Sequence, residues 1–136
     1  MFDKTAYEKQ RDMQVETYGI IPWMLDGEER KAYVNNMTLA LIAELVESLG
    51  EIPWKSWSSK DEFFPKAYLG EIIDAGHFLM NLALIVTPYA EDVLEAYMHK
   101  ADVNIVRQTE GYDESNKCEH CGRALDEPGH RQPFGL

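Results

Sequence analysis

The stretch "EIIDAGHFLMNLALIV", Glu71 to Val86, constrains the fold of this chain more than any other. Leu69, Ile72, Ile73, Phe78, Leu79, Leu82, Ile85 and Val86 put apolar groups around nearly the whole circumference of a helix, so the spacing predicts a helix enclosed by protein. Glu71, Asp74, His77 and Asn81 are threaded through it at helical spacing. Residues three apart share a face, which pairs the two carboxylates. A second pair with the same spacing, Glu44 and Glu47, lies upstream on another apolar-striped segment, with Glu51 one turn further. If the two helices pack antiparallel, the pairs converge. Close carboxylates near a dry core repel by ~4 kcal/mol per pair at an effective dielectric near 20, so they must protonate or share cations. Four hard oxygen donors suit magnesium or manganese. Glu44, Glu47, Glu71 and Asp74 are therefore the expected ligands of two or more divalent ions.

The rest of the chain up to residue 109 is helical in its periodicity, with no alternating strand pattern. One helix is predicted over Lys4 to Tyr18, ended by Gly19, and a second from about Glu28 to Leu49. "GEIPWKSWSSK" reads as a loop in which Ser59 and Glu62 resemble a capping box. "TPYAED" reads as a helix start, with Thr87 as N-cap and Pro88 in the first helical position, leading to about Gln108. The expected fold is all-α, a four-to-five-helix bundle with short connections. Residues 1–110 form the bundle domain and 111–136 a short, polar C-terminal tail.

Charge narrows the partners. The net charge of −11 repels phosphate backbones, which excludes polymeric nucleic acid as a partner while leaving small anions that bring or meet a cation. The opening "MFDKTAYEKQ" has no signal-peptide pattern, and the longest apolar run, Phe78 to Val86, falls far short of the ~20 residues a membrane span needs. A cytoplasmic protein without a membrane partner is expected. Helices apolar on most faces need more cover than four short helices give, so a homodimer or homotetramer is expected too.

On the last predicted helix, Tyr97, Lys100, Asn104 and Arg107 fall within about 80° of one another at ~100° per residue. A tyrosine, two cations and an amide on one stripe can hold a polyphosphate that metals hold from the other side. In the tail, Cys118 and Cys121 form CxxCG, the spacing of half a zinc site, and His130 is the expected third ligand.

These residues together carry a resemblance. ExxE (Glu44, Glu47) followed by ExxD (Glu71, Asp74) resembles the metal signature of the all-α NTP pyrophosphatases, which include the MazG-like proteins and the dimeric dUTPases. "IPWKSWSSK", "EIIDAGHFLMNLAL" and "YMHKADVNIVRQTEGY" look like three further motifs of the dUTPase-type branch, so that the likeness spans roughly Leu41 to Tyr112. It implies magnesium-dependent hydrolysis of a deoxynucleoside triphosphate to the monophosphate and pyrophosphate. dUTP leads on the resemblance, with dCTP or a purine such as dGTP as alternatives. It also implies phosphate and sugar contacts from Lys100, Asn104 and Arg107, with a glutamate of the Glu44/Glu47 pair taking the proton. Base contacts are then expected from Gln10 and Gln14, from Lys55 and Trp57 of the tryptophan loop (with Trp54 beside them), and from His77 and Asn81.

Two other readings fit part of the pattern. A di-iron carboxylate bundle uses a glutamate plus ExxH on each helix pair, which Asp74-x-x-His77 imitates once while Glu44-x-x-Glu47 lacks the histidine. A non-catalytic nucleotide-binding module would use the same residues without turnover.

Overall fold

The structure, a computed structural model, describes residues 3–59, 61–127 and 129. Four α-helices are described: α1 (Lys4–Glu16), α2 (Gly27–Ser48), α3 (Pro65–Leu84) and α4 (Ala90–Glu110), with short 3-10 turns at Pro22–Met24, Leu49–Glu51 and Glu114–Asn116. Among the described residues no helix is long and apolar enough to cross a membrane. The fold is all-α, as the periodicity predicts. Backbone contacts divide the chain into two compact units, Met1–Val93 and Leu94–Leu136.

In the first unit α2 and α3 form the main packed pair, and α1 lies against α3. Asn81 Nδ2 donates to Met37 Sδ at 3.4 Å, while Glu44 meets Glu71 further along. The numbers run in opposite directions, so the two helices are antiparallel, the arrangement that lets the carboxylate pairs converge. Asp3 caps α1 by accepting from the Ala6 N–H at 3.0 Å. Beyond α1, Gly19 (φ 67°) turns the chain in the left-handed region that only glycine enters cheaply. Tyr7, Met80, Leu84 and Ala90 form the buried core, with Trp23, Ala83 and Val93 packed around it. The Tyr7 hydroxyl donates to the Thr87 carbonyl at 2.8 Å, tying α1 to the segment after α3.

Two expected helix starts move. Pro65 occupies the first turn of α3 with Phe64 before it and no side-chain cap, so Ser59 and Glu62 do not box the helix start. Proline fixes its own φ and needs no donor partner at that position, which is enough to set the start. At α4 the Thr87 hydroxyl accepts from the Tyr89 N–H at 3.1 Å and donates to Asp92 at 2.6 Å, but the helix begins two residues beyond Pro88, at Ala90.

The enclosure expected of α3 is also corrected. Leu69 is 58% exposed, Ile73 42% and Leu79 39%, and Asp74 is exposed as well. Helix α2 shows an equivalent stripe in Leu39, Ile42, Leu45 and Val46, all exposed. Within one chain, the face beside the carboxylates is open.

The second unit contains the larger part of α4 and the tail. Its described buried apolar groups are small: Val103, Cys118 and Ala124. Asp113 and Asn116 cap the 3-10 turn reciprocally, each side-chain oxygen accepting at 2.8 Å from the backbone at the other end of the turn. The Arg107 guanidinium lies 4.3 Å from the centre of the Tyr112 ring.

Candidate metal centre and nucleotide pocket

Helical spacing on α2 and α3 brings the carboxylates together. One oxygen each from Glu44, Glu47 and Glu71 lies within 4.8 Å of the other two, and this is the one such acidic group among the described residues. Glu44 and Glu71 are half-buried and Glu47 is exposed. Glu44 feels the cluster most. Its carboxyl is held above the ordinary value first by partial desolvation, then by the hydrogen bond it shares with Glu71, and by the charges of Glu47, Asp74 and Glu71. Asp74 thus stands near enough to act on the trio electrostatically, one turn from His77, whose Nδ1 lies 3.8 Å from its Oδ1. Glu51 does not join the group; its carbonyl accepts from the Phe64 N–H at 3.1 Å at the start of α3.

The donor set fits a divalent metal. Three carboxylates this close store mutual repulsion that either a proton or a cation relieves, and carboxylate oxygens alone favour the hard ions, magnesium and manganese, over softer metals.

A second feature lies on the same two helices and on α1. Gln10, Met13, Gln14, Tyr18, Ile20, Met37, His77, Phe78 and Asn81 line a cavity of about 370 Å³. Four of the residues expected to read a base, Gln10, Gln14, His77 and Asn81, are therefore in one place. Their amides are fixed. Gln10 Nε2 donates to Asn81 Oδ1 at 2.8 Å, and the Tyr33 hydroxyl donates to Gln14 Oε1 at 2.9 Å. Gln10, Gln14 and Asn81 are buried. Apolar burial pushes the Tyr33 hydroxyl up to about 12, so it stays a donor at any physiological pH. Neither Met37 as a lining residue nor Tyr33 as the partner of Gln14 was legible in the sequence. Their spacing of four on α2 puts them on one face, yet nothing in the sequence says which neighbour that face meets.

The tryptophan loop builds a different place. Trp54 and Lys55 line a separate cavity of about 370 Å³ with Leu49, Ile52, Ser58, Glu62 and Phe64, not the one that holds the amides. Trp57 is 77% exposed and meets Trp54 edge-on at 6.2 Å, and the Lys55 ammonium sits 5.6 Å from the Trp54 ring.

The expected phosphate-binding stripe on α4 is engaged within its own unit. Arg107 pairs with both oxygens of Asp126, at 3.1 and 2.7 Å, and with Glu127 at 3.1 Å, and Lys100 pairs with Glu127. The hydrogen bond to Asp126 raises the arginine further and holds the Asp126 carboxyl low. Tyr97 and Asn104 are exposed. Cys118 is buried and Cys121 half-buried in the tail, and His130 lies outside the described residues.

The residue pattern and the carboxylate geometry can now be set beside known proteins. A dUTPase family model matches residues 7–89. The chain belongs to the dUTPase family. The matched span contains Gln10, Gln14, Glu44, Glu47, Glu71, Asp74, His77 and Asn81, and it stops before α4. The dCTP pyrophosphatase of Enterobacteria phage T4 is 28% identical over 121 residues, covering 73% of this chain and 67% of the phage protein. No solved structure matches. This dUTPase-family chain is a nucleoside triphosphate pyrophosphohydrolase acting on deoxynucleotides, a class that works with divalent metals, and it carries an acidic cluster. The di-iron and non-catalytic readings give way to it.

Proposed function

We propose that the protein hydrolyses a pyrimidine deoxynucleoside triphosphate, dUTP first and dCTP second, to the monophosphate and pyrophosphate with magnesium. The observation that carries this reading is the trio Glu44, Glu47 and Glu71, whose oxygens gather within 4.8 Å under the influence of Asp74. These four residues would hold two or more magnesium ions, manganese serving in their place. Bound there, the ions lower the pKa of a water and neutralise charge on the attacked phosphate. One glutamate of the Glu44/Glu47 pair, a carboxylate outside the inner coordination, takes the proton from the attacking water.

The cavity lined by Gln10, Gln14, His77 and Asn81 receives the base. Because Tyr33 occupies the oxygen of Gln14, the donor end of that amide is what the side chain has left to offer, and it suits a carbonyl of a pyrimidine. Gln10 gives its donor to Asn81 and keeps its oxygen for a ring N–H, the combination that uracil presents. Lys100, Asn104 and Arg107, with Tyr97, are proposed phosphate and sugar contacts on the strength of the K-x3-N-x2-R motif, and Lys55 and Trp57 further nucleotide contacts on that of the tryptophan-loop motif. The enzyme would act in the cytoplasm as a homodimer or homotetramer. The exposed apolar stripes of α2 and α3 that border the carboxylates are the surface a second copy would cover. Light scattering should then give a mass of two or four chains.

The test of function is a panel of deoxynucleotides and ribonucleotides with magnesium, with products identified. Release of pyrophosphate and dUMP or dCMP is expected. Failure to cleave any nucleotide between the α and β phosphates would overturn the proposal.

A further inference from the structure

We propose that Met37 is a positioning residue for base recognition. Its sulfur decides which end of the Gln10 amide faces the nucleotide, and through it the preference for uracil over cytosine. The proposal deepens the assignment of the base to the cavity lined by α1, α2 and α3, and rests on that assignment. Two buried amides meet there. Gln10 Nε2 donates to Asn81 Oδ1 at 2.8 Å, and the two residues are 5% and 3% exposed. A side-chain amide is a donor at one end and an acceptor at the other. A pair of amides joined by one hydrogen bond is therefore ambiguous, because turning both over restores the bond with donor and acceptor exchanged. Nothing within the pair chooses between the two arrangements.

A third partner breaks the tie. Asn81 Nδ2 donates to Met37 Sδ at 3.4 Å. A thioether sulfur carries lone pairs and no proton, so it accepts a hydrogen bond and never gives one. Turned over, Asn81 would bring its carbonyl oxygen against that sulfur, acceptor on acceptor, and its buried NH2 would lose this partner. The sulfur thus orients Asn81, and the Asn81 oxygen orients Gln10. Gln10 and Met37 both line the cavity, and the Gln10 oxygen accepts no hydrogen bond among the described residues. A buried acceptor left open beside a cavity calls for a donor from whatever fills it.

Uracil supplies that donor. It carries a proton on N3, where cytosine carries a lone pair, so the Gln10 oxygen bonds the first and repels the second. The reverse order of amides would offer an N–H instead and favour cytosine. The relay runs from α2 through α3 to α1. Met37 precedes Glu44 by seven residues on α2, roughly 10 Å along the axis at ~1.5 Å per residue. A change at its side chain can therefore move base preference while leaving the carboxylates in place.

The experiment compares kcat/KM for dUTP and dCTP, with magnesium, in the wild-type protein and in Met37→Leu. Leucine keeps most of the volume of methionine and supplies no acceptor. The dUTP-to-dCTP ratio is expected to fall about three- to tenfold, the worth of one neutral hydrogen bond, with kcat within about twofold. A relay also predicts non-additivity: in a Gln10→Leu background, where its last member is gone, Met37→Leu should change the ratio no further. In the free wild-type protein, a readout that needs no variant to fold, a nuclear Overhauser contact should join the Asn81 side-chain NH2 to the Met37 methyl. A ratio unchanged in Met37→Leu would overturn the proposal, as would the absence of that contact. So would an equal fall in the Gln10→Leu background, which marks a packing effect. Cleavage of neither nucleotide by the wild type would overturn the base assignment on which the proposal rests.

Discussion

Tyr33→Phe removes the hydroxyl that holds Gln14, a residue lining the cavity proposed to take the base, and should be felt in two separable ways. The hydroxyl donates to Gln14 Oε1 at 2.9 Å, and Tyr33 and Gln14 are 7% and 4% exposed. Phenylalanine keeps the ring packing and leaves the buried amide oxygen without its donor. The expected loss is therefore the desolvation cost of an orphaned acceptor, about 1–3 kcal/mol, rather than the ~1 kcal/mol net value of a hydrogen bond lost with both partners. At a urea dependence of ~1–3 kcal/mol per molar, the unfolding midpoint should fall by about 1 M. Replacing the second partner as well, in Tyr33→Phe with Gln14→Leu, should recover part of that loss, because an apolar pair leaves nothing unsatisfied. The effect on catalysis should fall on KM. Tyr33 precedes Glu44 by eleven residues on α2, roughly 16 Å along the axis at ~1.5 Å per residue, too far to disturb the carboxylates directly. Steady-state kinetics with dUTP and dCTP should show KM raised, kcat within about twofold, and weaker discrimination between the bases as the Gln14 amide loses its fixed orientation. A variant as stable as the wild type, with unchanged KM for both nucleotides, would refute the role proposed for Gln14 and for the Tyr33 hydroxyl that holds it.

Three further outcomes follow from the same geometry. Glu44 binds its proton more tightly in the folded than in the unfolded chain, so metal-free protein should lose stability as pH rises from about the ordinary carboxylate value through the raised one; excess magnesium should abolish that loss in thermal melts across pH. Burial pushes Tyr7, like Tyr33, up to about 12, with Asp92 adding to the effect at Tyr7, so ultraviolet titration should find these two of the seven tyrosines ionising above the ordinary tyrosine value. Their folded-state values are raised, so stability should also fall as pH climbs from 10 to 12. Neutralising Asp126 and Glu127 together (Asp126→Asn, Glu127→Gln) frees Arg107 and Lys100 and should lower KM for a nucleotide about two- to fivefold, the size of effect typical of exposed ion pairs; an unchanged KM would remove those two cations from the substrate contacts.

How much of this was legible in the sequence depends on what each signal encodes. The helices and the two carboxylate pairs were readable because a period of 3.6 and a spacing of three are local properties. Antiparallel packing of α2 on α3 then follows from the short connection, and it brings Glu44 to Glu71. Gln10, Gln14, His77 and Asn81 were readable as polar residues on apolar faces, which need partners when buried. Their actual partners were not: Tyr33 meets Gln14, and Met37 meets Asn81, through the packing of α1, α2 and α3. That the tryptophan loop lines a cavity of its own was not readable, for a related reason. A resemblance places a motif in the chain, whereas the cavity that Trp54 and Lys55 line depends on how Phe64 and Ile52 pack. The enclosure of α3 was overestimated because periodicity counts apolar side chains without saying what covers them. Leu69 and Ile73 are apolar and remain exposed within one chain. The start of α3 shows local signals in competition, with Pro65 setting it where Ser59 and Glu62 suggested a cap.

The central claim is that Glu44, Glu47, Glu71 and Asp74 hold the divalent ions that support cleavage. Its most direct test is a magnesium titration of pyrophosphate release from dUTP or dCTP, comparing the wild-type protein with Glu71→Gln, a substitution that keeps the shape and removes one negative charge from the cluster. The expected result is a saturable magnesium dependence in the wild type, and in the variant a half-saturating magnesium concentration raised about tenfold or more with turnover lowered at least about a hundredfold. Turnover without magnesium or manganese, or a variant whose magnesium curve overlays the wild type, would contradict the account.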